Sequence, residues 1–561
     1  MPVRLPEAAA SAYHYPLLIK HLLRTALLTA PEQLIVYGSH HRYTYAAFGA
    51  RVGRLAAGLA GLGVQPGATV AVLDWDSHRY LECYFAVPMM GAVLQTVNVR
   101  MSPKDASYVL QDANAEVVLV AREFLPLLCE IRAALTRVRS FVLLEEPRHG
   151  ASPRGRPDWI CAEYERMLGE VVEEHPFSDF DENAIATAFH TSGTTGAPKG
   201  VCFTHRQLVL HTLAALGALA SPAHGQCLRR GDVYMPITPM FHVHCWGLPY
   251  VATLLGLKQV YPGRYVPSEL LALRAREGVT FSHCVPTMLR MLLDAASSGG
   301  GSLRGWKMVL GGAALAPSLA SEALRAGMDV FAGYGMSETG PILTLSRLDE
   351  DSGEMTPQAE LEQRCGAGLP IPLVDLKVVD PTSRDRTHNL PGAGEVVVRA
   401  PWTTLCYMGR PEASEELWRE GYLHTNDVGA IGARGDLRIT DRLKDLIKTG
   451  GEWVSSLRLE EIIASHPGVL EVAVIAVPDA RWGERPHAWV VPRPTQGVVL
   501  RPQDILKHVA QHVQRGAIPR YAIPDQVVIV ERLEKTTVGK IDKRALRKRC
   551  CMSARDASKD G

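Results

Sequence analysis

His190-Thr191-Ser192-Gly193-Thr194-Thr195-Gly196-Ala197-Pro198-Lys199-Gly200 directly follows an apolar run at residues 184–189 that reads as a buried strand. A strand leading into a polar, glycine-rich loop is a common way to present backbone N–H groups and hydroxyls to phosphate. Its three glycines let the backbone approach an anion closely, its four hydroxyls are rotatable donors, and Lys199 can set one ammonium against phosphate oxygens. A nucleotide polyphosphate is therefore the first expectation. The loop is not a P-loop: counted from Gly193, the second glycine of G-x-x-x-x-G-K-[ST] is replaced by Pro198 and the hydroxyl residue by Gly200. Taken alone, the stretch fits a flexible surface turn equally well, so the rest of the chain has to decide.

Working outward toward the N-terminus, apolar positions Val52, Leu55, Ala56, Leu59 and Leu62 recur at helical spacing until Gly63. Strands are expected at 69–73, 116–120 and 140–144, and this alternation implies crossover units and a buried, parallel-type sheet. Asp74-Trp75-Asp76 and Asn98-Val99-Arg100 end or follow such strands, a place from which residues can face a cleft, and the favoured reading is surface caps and turns. Toward the C-terminus, residues 235–249 read MPITPMFHVHCWGLP, in which His242 and His244 would point the same way on an extended segment. No third ligand at useful spacing follows, so a metal is not expected there. Further strands run into VTFSHCVP at 279–286 and MVLGGAALAP at 308–317, where small residues leave room for a flat ring. A strand at 329–332 leads into Gly333-Tyr334-Gly335-Met336-Ser337-Glu338-Thr339-Gly340. A tyrosine between glycines can lie flat against a base, a serine can reach phosphate, and a carboxylate can hold Mg²⁺ against phosphate oxygens.

Three more stretches follow: GYLHTNDV at 421–428, ITDRLKDLIKTGGEWVSS at 439–456 and EKTTVGKID at 534–542. The charged run ending in Gly450-Gly451 reads as a linker between domains. Beyond it lies a small unit with a helix at 457–465, strands at 471–477 and 487–491, a helix from Gln503 and a strand at 526–530.

The ordered set TSGTTGAPKG, GYGMSE, TND, DRLKD with GGEW, and VGK resembles the acyl-adenylate-forming enzymes, among them acyl-CoA synthetases, coumarate-CoA ligases, beetle luciferases and peptide-synthetase adenylation domains. The resemblance runs from about Tyr43 to Arg547, and its flavour is that of bacterial medium-chain acyl-CoA ligases. It implies an α/β fold: a large N-terminal multi-subdomain α/β domain at 1–441, a small mobile α+β lid domain at 442–547 and a disordered tail at 548–561. It implies that Thr191, Ser192, Gly193, Thr194, Thr195, Gly196 and Lys199 hold the ATP phosphates. Gly312 and Ala313 form the adenine side, Tyr334 stacks on adenine, Ser337 meets the α-phosphate and Glu338 binds Mg²⁺. Asp427 and Arg442 hold the ribose. His242 stands near the acyl carboxylate, with Trp246, Val285 and Gly335 lining the acyl pocket. Lys540 is the adenylation lysine; Lys444 is the pivot; Lys448, Gly450, Gly451 and Trp453 serve the thioester-forming state.

Two departures stand out: Asn426 replaces the usual glycine of T-G-D, and Gly435-Asp436 lacks the aspartate that often precedes the glycine. Asparagine tolerates left-handed backbone better than most residues, so the turn is expected to survive. The implied reaction joins a carboxylic acid, ATP and coenzyme A. Rival readings are a carrier-protein thiol or amine acceptor, another small oxyacid, a catalytically dead nucleotide-binding regulator, and a phosphotransferase releasing ADP.

Composition agrees with a small-molecule enzyme. The 561 residues are enough for roughly three to four domains or subdomains. Lys+Arg 60 against Asp+Glu 59 leaves a formal charge of +1, which argues against nucleic acid or an anionic membrane as the main partner. The 11 cysteines show no CxxC or Cys/His metal spacing, so reduced thiols in the cytoplasm are expected. No secretory signal or membrane span is expected, and a homodimer is left open.

Overall fold

The computed structural model describes residues 3–557 apart from 40, 146–154, 156, 192–196, 223–224, 349–354, 381–391, 494–498 and 537–539. Two large sheets dominate the first 370 residues. The seven-stranded sheet runs Ala162–Glu163, Ser140–Leu144, Ala115–Ala121, Thr69–Leu73, Val93–Thr96, Ile185–Thr191, Lys199–Thr204. It is parallel except for its last pair, the antiparallel strands on either side of residues 192–198. The nine-stranded sheet has a parallel centre in the order Asp329–Gly335, Lys307–Leu310, Phe281–Cys284, Val233–Pro236, Lys258–Tyr261, Leu34–Tyr37, with antiparallel strands added at both edges. Buried on both faces, such strands read as continuous apolar runs, as TVAVL at 69–73 does.

The helices that cover these sheets follow their sequence pattern. Tyr45–Gly61 begins where the Thr44 hydroxyl accepts from the Ala47 N–H, and it buries Phe48, Val52, Leu55, Ala56 and Leu59 on one face. His205–Ala220 starts with a capping box in which Thr204 and Gln207 satisfy each other's backbone N–H.

An antiparallel five-stranded sheet follows, formed by Asp375–Val379, Gly394–Arg399, Trp418–Arg419, Tyr422–Ile431 and Leu437–Arg442. The C-terminal unit is the helix Ser456–Ala464 with the helix Pro502–Gln514 against a sheet of Glu452–Val454, Ile447–Thr449, Gly483–Pro492, Val469–Asp479 and Gln526–Ile529. Arg442 is the last residue of a strand paired with Asp427 inside the five-stranded sheet. The tail differs from expectation. A helix spans Lys543–Ala557 where disorder was expected from 548; its first turn buries Leu546 against Ala473, Ile475 and Trp489, and Ala, Leu, Lys and Arg are strong helix formers. No described helix is long and apolar enough to cross a membrane.

Candidate active site

In an open α/β sheet the ligand crevice lies outside the carboxyl ends of the parallel strands. Four adjacent strands of the nine-stranded sheet end at sequence-predicted site residues. Val233–Pro236 leads toward His242, Phe281–Cys284 into Val285, Lys307–Leu310 into Gly311 and Gly312, and Asp329–Gly335 holds Tyr334. Residues separated by a hundred positions thus share one rim.

The other walls come from different units. Asp427 stands on the strand Tyr422–Ile431 and accepts a hydrogen bond from the Tyr334 hydroxyl at 2.8 Å, while Arg442 Nε lies 3.2 Å from its other oxygen. Asn426, one residue before, has φ 58°, the left-handed conformation expected for the usual glycine. Glu338 is buried and accepts from the Tyr407 hydroxyl at 2.7 Å. The Lys199 ammonium lies 4.6 Å from the Tyr407 ring centroid, and the Met408 N–H donates to the Gly200 carbonyl at 2.8 Å. Burial raises the carboxyl pKa values of both Glu338 and Asp427, offset for Glu338 by Tyr407 and for Asp427 by Arg442.

Lys540 reaches this cleft from the C-terminal unit. A methyl group built on Gly312 would lie 3.3 Å from Lys540 Cε and 3.3 Å from Val285 Cγ1, so glycine is what lets the lysine stem pass. Removal from solvent pushes the Lys540 ammonium down to about 8, with Arg442 adding to the fall and Asp427 and Glu338 opposing it. His242 is held neutral, its pKa lowered to about 3 by burial and then by Lys540.

The segment after His242 corrects the expectation of an extended strand. Val243, His244, Cys245, Trp246 and Gly247 have φ 48°, 52°, 54°, 59° and 71°, a turn of left-handed helix. His244 therefore does not share a face with His242. Its ring packs into the core against Phe189 and Phe203, with centroids 5.1 and 5.7 Å away. Trp246 lies against His283 at 5.0 Å, and its ring occupies the space a side chain on Gly311 would need. Left-handed backbone costs each non-glycine residue about 1–2 kcal/mol, so this turn persists only because its surroundings fix it. The preceding loop is clamped from the other sheet's elements. Asp76 accepts from the Met240 N–H at 2.9 Å, Tyr84 donates to the Met240 carbonyl and Thr96 donates to the Phe241 carbonyl at 3.0 Å. Asp76 is thus a buried anchor, not the surface cap its sequence suggests; burial lifts its pKa to about 8.

Some expected residues do not meet in this cleft. Lys448, Gly450, Gly451 and Trp453 form an outer hairpin of the C-terminal unit. Trp453 is 57% exposed, the Lys448 ammonium lies 5.5 Å from its ring centroid, and the Lys448 N–H donates to Glu484 at 2.9 Å. Ser192, Gly193, Thr194, Thr195 and Gly196 lie outside the described residues. Thr191 ends the strand before them, Ser337 is half-buried beside Glu338, and Ala313 is exposed beside Gly312. Gly335 packs so closely on the Pro341 backbone that no side chain fits. Sequence reading missed Tyr407, whose segment TLCYMGRP carries no spacing signal. It also missed the support behind the loop, where His190 contacts Asp112 at 2.9 Å and Arg410 contacts Asp112 at 3.0 Å. Among the described residues no group of three or more His, Cys, Asp or Glu could hold a metal alone.

Comparison with known proteins agrees with this geometry. The AMP-binding enzyme family matches residues 23–408 and the AMP-binding enzyme C-terminal domain matches 458–540. The chain is 42% identical to the long-chain-fatty-acid–CoA ligase of Thermus thermophilus, covering 91% of this chain and 90% of that protein. It is 34% identical to the medium-chain-fatty-acid–CoA ligase of Ectopseudomonas oleovorans over 89% of each. The solved anthranilate CoA ligase in complex with anthranoyl-AMP superposes with TM-score 0.82 at 25% identity, covering 96% of this chain and 99% of that one. The chain belongs to the AMP-binding enzyme family. Within it, the chain is an AMP-forming acid–thiol ligase, which activates a carboxylic acid with ATP and passes the acyl group to coenzyme A.

Proposed function

We propose that the acid is a fatty or related acyl acid and that the structure corresponds to the adenylating pose. The observation that carries this reading is Lys540, brought from a separate unit to within reach of Gly312 and Val285 and into the field of Glu338 and Asp427. Acyl-AMP formation moves negative charge between carboxylate, α-phosphorus and departing pyrophosphate, so it needs positioning and neutralisation more than covalent help.

In this reading Tyr334 stacks on adenine against Gly312 and Ala313, and Asp427 with Arg442 holds the ribose hydroxyls. Lys199, the 191–196 loop and Ser337 hold phosphate oxygens. His242 orients the carboxylate, Lys540 stabilises charge at the attack site, and Val285 and Trp246 border the acyl chain. Glu338 fits Mg²⁺: it is a hard oxygen donor with no cage of further carboxylates among the described residues, the kind of site that holds magnesium through one carboxylate and substrate phosphates. When bound, Mg²⁺ would neutralise phosphate charge. For the second half-reaction the C-terminal unit turns about Lys444 so that Lys448, Gly450, Gly451 and Trp453 face the coenzyme A thiol. The fatty acyl choice draws on the two bacterial relatives whose names carry that substrate.

The test is a screen of acids by pyrophosphate release with and without coenzyme A. Pyrophosphate should form from a fatty acid and ATP before coenzyme A is added, with acyl-CoA appearing afterwards. Strongest release with an aromatic or short hydroxy acid would remove the fatty acyl assignment, and a product that forms only with an amine or carrier protein would remove coenzyme A as the acceptor.

A further inference from the structure

Directly behind the Lys199–Tyr407 contact lies a pair of thiols. Val201 and Tyr407 are antiparallel bridge partners, and the Met408 N–H donates to the Gly200 carbonyl in the same register. That register sets Cys202 opposite Cys406. Successive side chains of extended backbone point to opposite sides, so Lys199 and Val201 share one face with Tyr407, and Cys202 shares the other with Cys406. Opposed residues on antiparallel strands have Cα atoms about 4.5–5.5 Å apart, inside the range a disulfide spans. The two thiols are in side-chain contact; Cys406 is exposed and Cys202 half-buried.

We infer that Cys202 and Cys406 form a redox-sensitive dithiol that a low-molecular-weight disulfide such as oxidised glutathione closes to an intramolecular disulfide, slowing adenylation. The exposed Cys406 thiolate attacks one glutathione sulfur and expels glutathione thiolate, leaving a mixed disulfide on Cys406. The Cys202 thiol then attacks the Cys406 sulfur and expels the second glutathione thiolate, which carries away the Cys202 proton. Two protein thiols are oxidised and one oxidised glutathione is reduced to two thiols. The order follows from access: Cys406 is exposed, whereas burial, and next the neighbouring Cys406, lift Cys202 to about 12, so Cys406 reacts first and Cys202 is the resolving thiol.

Closing the pair draws two sulfurs from contact, about 3.5 Å or more, to a bond of about 2 Å. The strain falls on the strand carrying Lys199 and on the segment carrying Tyr407, which hydrogen-bonds Glu338. A displacement near 1 Å at positioned groups costs up to a hundredfold in rate, so adenylation should fall about tenfold.

The test treats full-length reduced enzyme with oxidised glutathione, then combines non-reducing peptide mapping with pyrophosphate release. The expected result is a 202–406 cross-linked peptide, two hydrogens lighter than the pair, about tenfold slower release, and recovery with dithiothreitol. Cys129 and Cys161, exposed thiols elsewhere, serve as internal controls and should carry glutathione. Cys406→Ser should keep the reduced rate and be insensitive, and Cys202→Ser should leave glutathione on Cys406. Glutathione on Cys406 with a free Cys202 in the wild type would overturn the inference, as would a cross-link that leaves the rate unchanged. The peptide map does not depend on which acid is the substrate, so failure of the fatty acyl reading stays separable from failure of this one.

Discussion

The Tyr407 hydroxyl donates a hydrogen bond to Glu338 at 2.7 Å, and the same ring carries the Lys199 ammonium 4.6 Å from its centroid. One tyrosine therefore spaces the expected metal-binding acid from the expected phosphate-binding lysine. Burial raises the Glu338 pKa and the Tyr407 hydrogen bond opposes that rise. Tyr407→Phe removes the opposition, so more alkaline conditions are needed to ionise Glu338. The acid limb of pyrophosphate release should move to higher pH, with a loss of about tenfold at neutral pH from a hydrogen bond to a charged group. A rate loss with no shift of the acid limb would make Tyr407 merely structural.

Glu338→Gln preserves shape and removes charge. Adenylation should fall on the order of a hundredfold or more, the range for losing one positioned charge partner. Turnover that stays at the wild-type level when magnesium is limiting would take Glu338 out of the site.

Lys540 sits at about 8 in the closed cleft, well below a free lysine. Its ammonium is the useful form, so adenylation should decline as pH rises through about 8. Lys540→Arg cannot lose its charge in that range and should flatten the alkaline limb while running slower overall. Lys540→Ala should nearly abolish pyrophosphate formation yet leave coenzyme A attack on pre-made acyl-AMP largely intact.

Lys444→Pro should give the opposite pattern. If Lys444 is the proposed pivot, a fixed φ there holds the C-terminal unit over the cleft, so acyl-AMP accumulates and thioester formation slows. Equal slowing of both half-reactions, assayed separately, would mean a single closed state serves both.

Trp246 lies at the carboxyl ends of the strands, against His283 and Gly311. Trp246→Ala should shift preference toward longer or bulkier acids, since each buried methylene is worth about 0.8 kcal/mol, without abolishing adenylation. An unchanged acid profile would reassign the ring to the core.

The strand-to-loop order at 184–200 was legible because apolar runs and glycine clusters are local features, and the nine-stranded sheet then gathers Val285, Gly312 and Tyr334 through its strand order. The antiparallel sheet around Asp427 was not legible: its strands range from two to ten residues, and only the TND motif marks them. Tyr407 was invisible because its partners lie 69 positions away at Glu338, and at Lys199, neither related to it by any period. Asp76 misled for a similar reason. A short polar residue after a strand normally caps a turn, and only the packing of a second sheet makes it a buried acceptor for Met240. The left-handed turn could not be read at all, since valine, cysteine and tryptophan carry no preference for that hand.

That turn also sets an order of assembly. Four consecutive side-chain-bearing residues of the wrong hand have no local reason to form, and their supports come from Asp76, Tyr84 and Thr96 on one side and His283 and Gly311 on the other. A nascent chain with only its first sheet folded has nothing to hold Trp246 in place. The turn therefore takes shape only after elements of both large sheets have come together around it.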